Sequence, residues 1–237
     1  MTTLLALDTA TEACSVALLR GGEVLSLDEL SPKAHTKRIL PMVDEILTQA
    51  GIALRDVNAL VYGRGPGSFT GVRIGCGIVQ GLALGADLPV IGVSNLTAMA
   101  QAAYQKCGAQ TALCAIDARM GEVYFSALKH HTISHEGQAF DSWQPLLDEQ
   151  VLPPECVLAL LKTHQINADI CVGTGWGAYP ALASLTQRAV EITLPSAQYM
   201  LTLAQAAWAC GETQSALEIE PVYIRNQVTW KKLPGRE

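Results

Sequence analysis

Residues 2–7 (TTLLAL) form a largely apolar run that ends at Asp8, the pattern of a strand covered on both faces. Residues 14–20 form a second such run. Gly21-Gly22 predicts a two-residue hairpin turn into a third strand, 23–29. Between Lys33 and Ala50 apolar residues recur at 39, 43, 46, 47 and 50, which is helical spacing, and Gly51 stops that helix. A strand is expected over 59–62, then the loop GRGPGSFT, with Ser68 or Thr70 placed to cap a helix from about 71 to 86. A strand at 89–93 and a helix to about 104, capped by Ser94 or Asn95, complete the first half.

The pattern then begins again. Residues 111–116 (TALCAI) read as a strand ending at Asp117, 122–128 as its partner, 155–164 as a helix and 168–172 as a strand before the loop GTGWG. Asp117 follows Asp8 by 109 residues, and the loop glycines 63, 65, 67 and 173, 175, 177 are offset by 110. Two matches at one spacing predict a duplicated α/β protein. The halves would be 1–106, carrying dimerisation helices, and 107–237. A last amphipathic helix over 197–209 and the tail that follows, about 197–237, are expected to pack back on the first half.

Composition changes this picture in one respect. Of 237 residues 49% are hydrophobic but only 16% are charged, against about 25% in an average globular chain. So neutral a surface suggests a face covered by a partner. The net charge of -6 argues against autonomous nucleic-acid binding, which needs clustered Lys and Arg, and 13 aromatics offer no evident stacking platform. Seven cysteines form no CxxC pair, which fits buried, reduced thiols better than zinc or disulfides. The first residues carry no basic leader. The longest uncharged stretch, 88–105, holds Pro89, Gly92, Ser94 and Asn95 and reads as strand, turn and helix. A cytoplasmic protein without membrane contact is expected.

A carboxylate closing a first strand, facing glycine loops from two halves, is a nucleotide-phosphate arrangement, as in actin, the heat-shock ATPases and the sugar kinases. Asp8 would hold hydrated Mg2+, and Thr9, Gly173 and Gly175 would let backbone N–H groups approach the phosphates of ATP or ADP. Against this, the turn Asp8-Thr9-Ala10-Thr11-Glu12 lacks glycine, and the second turn sets Arg119 and Met120 where the phosphates would come. The alternative is that both aspartates merely end strands. No GxxxxGK[ST], GxSxG, HExxH or paired-carboxylate signature is present, and His35 is followed one turn later by Ile39, so there is no HxxxH pair. No catalytic residue and no metal ligand is assigned. His130, His131 and His135 lie in a polar stretch expected to be irregular and solvated.

The helix over 71–86 is more informative. Gly71 and Gly75 lie four apart, as do Gly77, Gly81 and Gly85, and each mid-helix glycine costs about 1 kcal/mol relative to alanine. Residues 74, 78, 82 and 85 make one stripe while 75, 79 and 86 point elsewhere, so the helix is expected to be covered on both sides. A subunit interface follows, shared with the helix that begins near Ile39. Its residues would be Ile39, Val43, Ile46 and Leu47 with Gly71, Ile74, Gly75, Ile78 and Leu82.

The strings LALDTATEACSVALL, GRGPGSFTGVRIG, IDARMGEVY and PVYIR resemble the bacterial TsaB (YeaZ) family over nearly the whole chain. The resemblance implies two duplicated ribonuclease-H-like lobes of the actin/heat-shock ATPase fold, with mixed sheets flanked by helices. It further implies a degenerate relative of TsaD (the glycoprotease-like group) that supports transfer of threonylcarbamoyl from its adenylate to the exocyclic amine of the adenosine beside the tRNA anticodon. TsaD carries HxxxH on its first long helix; the Ile39 noted above departs from that pattern, as does Ala10, where the family usually shows Ser. The implied partners are TsaD in a heterodimer, a second copy in a homodimer, and the ATPase TsaE, with tRNA met only through the complex. No cofactor is then required by this chain, and ATP or ADP with Mg2+ would belong to the complex. The rival is an actin-like ATPase or phosphotransferase using Mg-ATP at Asp8; a peptidase finds no nucleophile or metal.

Overall fold

The computed structural model describes residues 2–185 and 191–225. Strands β1 (Thr3–Asp8), β2 (Ala13–Arg20) and β3 (Glu23–Leu30) form an antiparallel meander. Gly21 and Gly22 adopt φ of 62° and 86°, the left-handed pair that a two-residue hairpin needs. Helix α1 (His35–Ala50) starts two residues later than its apolar pattern suggests, because Lys33 sits at φ 66° and cannot be helical. Strand β4 (Ala59–Gly63), helix α2 (Phe69–Ala86) and strand β5 (Val90–Val93) follow. Both strands run parallel to β1, giving the order β3-β2-β1-β4-β5.

Helix α3 (Asn95–Cys107) leads to the second sheet. Strands β6 (Thr111–Arg119), β7 (Glu122–His135) and β8 (Gln138–Leu152) again form a meander, helix α4 (Pro154–Thr163) crosses over, and β9 (Ile170–Val172) pairs parallel with β6. The order β8-β7-β6-β9 repeats the first sheet without a fifth strand. Where the first lobe has α2, the second has only the four-residue α5 (Gly175–Ala178); α6 (Ala197–Ala209) follows. The chain is a mixed α/β protein of two lobes with ribonuclease-H-like strand order, each sheet flanked by helices.

Packing follows from the apolar stripes. Ile39, Met42, Val43, Ile46 and Leu47 of α1 and Val72, Cys76, Val79 and Ala83 of α2 turn inward, and most of them join Leu5, Leu7, Val16 and Leu60 in one core. Length and composition alone would let α2 cross a bilayer, but that inward side is laid on the first sheet. On the sheet's other face α6 places Ala197, Met200, Leu201 and Ala204 against Leu4, Ala6 and Val61. Helix α3 serves both lobes, giving Ala98 to that cluster and Leu96, Met99 and Ala103 to the second sheet. Each buried Leu or Met contributes about 1.5–3 kcal/mol.

The stretch expected to be irregular and solvated is instead a hairpin of 14- and 15-residue strands. Glu136 and Gly137 supply the two positive φ values of its turn, 48° and 80°, so Glu-Gly does here what Asn-Gly usually signals. Pro145 is accommodated because β8 is an edge strand.

Candidate functional site

The two aspartates aligned by the repeat end in unlike surroundings. Asp8 is 1% exposed. Asn95 Nδ2 donates to its Oδ1 at 2.7 Å, and the Ala10 N–H donates to Oδ2 at 3.4 Å. Burial pushes the carboxyl up to about 7, with the bonds from Asn95 and Ala10 opposing it. The same asparagine accepts from the Gly65 N–H at 2.8 Å, which ties β1 to the glycine loop.

That loop explains the enclosure. A Cβ on Gly63 would overlap the Asp8 carboxylate, one on Gly67 the Ala10 carbonyl, and one on Gly71 the Thr9 carbonyl. The Ser68 N–H donates to Ala10 O at 2.6 Å, and the Thr9 hydroxyl donates to Gly71 O at 2.8 Å. The first turn is therefore roofed by its own chain. An enclosed carboxyl and a committed hydroxyl do not fit hydrated Mg2+ or a nucleotide phosphate. Ser68 also caps α2, accepting from the Gly71 N–H, so the helix begins at Phe69 and not at Gly71.

In the second lobe Asp117 accepts from Tyr179 Oη at 2.7 Å, from the Arg119 N–H at 2.9 Å and from Arg119 Nη1 at 3.0 Å. Burial and then the bond to this carboxylate push the Tyr179 phenol up to about 12. Gly173 has φ 107°, and a Cβ there would overlap the Ala115 carbonyl; Gly175 packs on Ala115 and Val123. Both glycines hold their loop against β6.

Six of the nine residues expected at an interface point inward: Ile39, Val43, Ile46, Leu47, Gly71 and Gly75. The cause is simple. The single apolar stripe of α1 lies on Cys14, Val16 and Leu18 of β2 and cannot also face a partner. Ile74, Ile78 and Leu82 are half-buried, with Leu84 exposed beside them. A Cβ added to Gly77, Gly81 or Gly85 would meet nothing within 4 Å. Leu40 is the apolar residue that α1 leaves in water, at 47% exposure.

Several contacts, most of them between the lobes, left no trace in the local sequence. Arg119 reaches Glu12 across the cleft at 3.0 Å, and Arg225 Nη2 pairs with Glu122 and with the Arg119 carbonyl. Arg64 and Ser94 both bind Glu149. His130 is buried, not solvated: its ring stacks on Tyr104 at 3.8 Å and its Nε2 meets Asp141 at 3.0 Å. Gln101 joins this group by donating to Asp141 and accepting from Trp143, both at 2.7 Å. These partners lie 11 to 107 residues apart, so only the fold brings them together. A cavity of about 520 Å³ opens between the glycine loop, β7 and residues 222–225, walled by Pro66, Val72, Arg73, Tyr124, Tyr223 and Ile224.

Residues 27–232 match the family model described as TsaD, tRNA N6-adenosine threonylcarbamoyltransferase. The Haemophilus influenzae tRNA threonylcarbamoyladenosine biosynthesis protein TsaB is 56% identical over 99% of this chain and 98% of its own length. The Escherichia coli protein of the same name is 52% identical over 99% of each. YeaZ from Pseudomonas aeruginosa, a solved structure, superposes with a TM-score of 0.76 at 42% identity, covering 94% of this chain and all of that one.

Proposed function

The chain belongs to the TsaB (YeaZ) family, and on that premise we propose that, within the tRNA threonylcarbamoyladenosine biosynthesis in which it takes part, it is a non-catalytic scaffold and activator subunit. The reaction it serves is transfer of threonylcarbamoyl from threonylcarbamoyl-AMP to the exocyclic amine of the adenosine adjacent to the anticodon, in tRNAs reading codons that begin with A. TsaD supplies the chemistry and TsaE joins as the ATPase.

One observation carries this reading: the outward face of α2, where three glycines have open space above them, Ile74 stands half in water and Leu84 is exposed, with Ile78 and Leu82 at its margin half covered by the lobe's own core. Such a face lets another helix approach to backbone distance and gains its apolar burial only in a complex. Ile39 in place of a second histidine, and the enclosure of Asp8, support a chain without its own reaction centre. TsaD and a second copy of this chain compete for the same face. The complex works in the cytoplasm and reaches tRNA through TsaD, since this chain carries a net charge of -6.

The test is reconstitution of tRNA modification from TsaD, TsaE, threonylcarbamoyl-AMP and ATP, with and without this chain. Omission is expected to abolish modification, and equal activity without it would end the scaffold reading. Ile78→Arg is expected to abolish co-purification with TsaD while leaving the far-ultraviolet circular dichroism unchanged.

A further inference from the structure

Arg73 stands at the edge of the outward face of α2, one residue before Ile74. Its guanidinium carbon lies 3.3 Å from the centroid of the Phe69 ring and 5.1 Å from that of Tyr223. Its Nε donates to Tyr223 Oη at 2.7 Å. The two rings sit 5.9 Å apart at 42°, so the fork rests on the Phe69 face while the Tyr223 ring and its hydroxyl hold it from an adjoining side. Arg38, Arg64, Arg119 and Arg225 each hold a carboxylate of this chain; among the described residues Arg73 holds none. Phe69 is 59% exposed and Tyr223 46%, which leaves a broad aromatic surface in water around an uncompensated cation.

We propose that Phe69, Arg73 and Tyr223 form a clamp for a carboxylate side chain of the subunit that lies along α2, with the neighbouring 520 Å³ cavity receiving that subunit's adjacent apolar residue. This rests on the interface reading above and adds the chemistry of its anchor. A planar guanidinium that offers both terminal nitrogens matches a carboxylate in two-point geometry, and oriented Arg and Tyr side chains are the residue types that dominate binding energy at interfaces. Charge selects the occupant. The chain is acidic overall, so a nucleic-acid backbone with its row of phosphates is repelled where a single carboxylate is not, and the cavity wall itself carries Arg73 and Arg225 with no carboxylate among its described lining residues. Position agrees with charge, because Phe69 and Arg73 share the stripe of Gly77 and border the outward face at its N-terminal end.

The experiment measures the affinity of the full-length chain for TsaD at about 50 and 300 mM salt, a range over which screening of exposed charges changes strongly. The wild type, Arg73→Gln, Arg73→Lys, Tyr223→Phe and Ile78→Arg are compared. Arg73→Gln is expected to weaken binding at least tenfold at low salt and to flatten its salt dependence. Lys, a point charge without the fork, restores part of the affinity; Tyr223→Phe, which keeps the ring and removes the orienting hydroxyl, weakens it by a smaller factor. Wild-type affinity and salt slope in Arg73→Gln, with Ile78→Arg still abolishing binding, overturns the clamp and leaves the interface standing. Undiminished binding by Ile78→Arg overturns the interface reading and the clamp with it.

Discussion

The two lobes share a strand order and differ in almost everything placed around it. The first keeps the 18-residue α2 and the second the four-residue α5 at the corresponding crossover, while the second extends its hairpin to strands of 14 and 15 residues. What the repeat retains is a close glycine approach and not the atom approached: Gly63 lies against the Asp8 carboxylate, and Gly173, its match at the offset of 110, against the Ala115 carbonyl. What it does not retain is the chemistry at the strand end. Asp8 is desolvated and held by an amide, whereas Asp117 is shared by an arginine, a phenol and a backbone N–H. A matched pair of aspartates at one sequence offset therefore marks common descent of a frame, with separate roles inside it.

The sharpest test of this comparison is to fill one glycine–carbonyl contact in each lobe. Gly71→Val and Gly173→Val each drive a side chain into a carbonyl oxygen, and Gly173 adds a positive φ; each is expected to destabilise by about 4 kcal/mol or more. Urea denaturation reads both, and tolerance in one lobe alone would show that its sheet does not depend on this approach.

The aspartates come next. The Asp8 carboxyl titrates at about 7 when folded and at about 3.9 when unfolded, so the native state holds the proton more tightly. Stability is then full below about pH 4, falls as pH rises to about 7 and stays flat above. Asp8→Asn keeps an acceptor for Asn95 and removes the decline, so a gain of about 2–4 kcal/mol is expected at about pH 8 and little at about pH 4. Asp117→Asn is expected to lose about 1 kcal/mol, since it weakens the hold on Arg119 and Tyr179. A gain from both substitutions would erase the distinction between the two sites.

Smaller effects test the surface. Gly77→Ala is expected to stabilise the isolated chain by about 1 kcal/mol, because it adds helix propensity in open space, and to weaken association with TsaD. Arg119→Ala removes a cleft-spanning pair whose arginine is 73% exposed, and is expected to change stability by less than about 0.5 kcal/mol in thermal melts.

The frame was legible because each strand announces itself locally: an apolar run, a glycine turn, an aspartate at the end. The roles of the glycines were not, since a loop glycine that admits a phosphate and one that admits a carbonyl from the same chain look alike in sequence. Burial on α1 misled for a related reason. An apolar stripe records that a helix face is covered, and the identity of the cover, here β2, is a tertiary fact. The far half of the His130 hairpin escaped because its buried positions are His130, Phe140 and Trp143 among polar neighbours, and its turn is Glu-Gly. Clusters such as Asp8–Asn95 and Arg119–Glu12 depend on separations of 87 and 107 residues that no local window spans.

Three uncrowded glycines in the second half of α2 have a kinetic corollary. Together they withhold about 3 kcal/mol of helix propensity from residues 77–86, so this segment frays before the rest of the first lobe. Its amide hydrogens would exchange with deuterium fastest among the lobe's helices in the free chain, and any surface that settles on the face slows that exchange. On the proposed interface, assembly would finish a helix that the sequence leaves loosely wound, and the rate of amide exchange would read directly whether the subunit is alone.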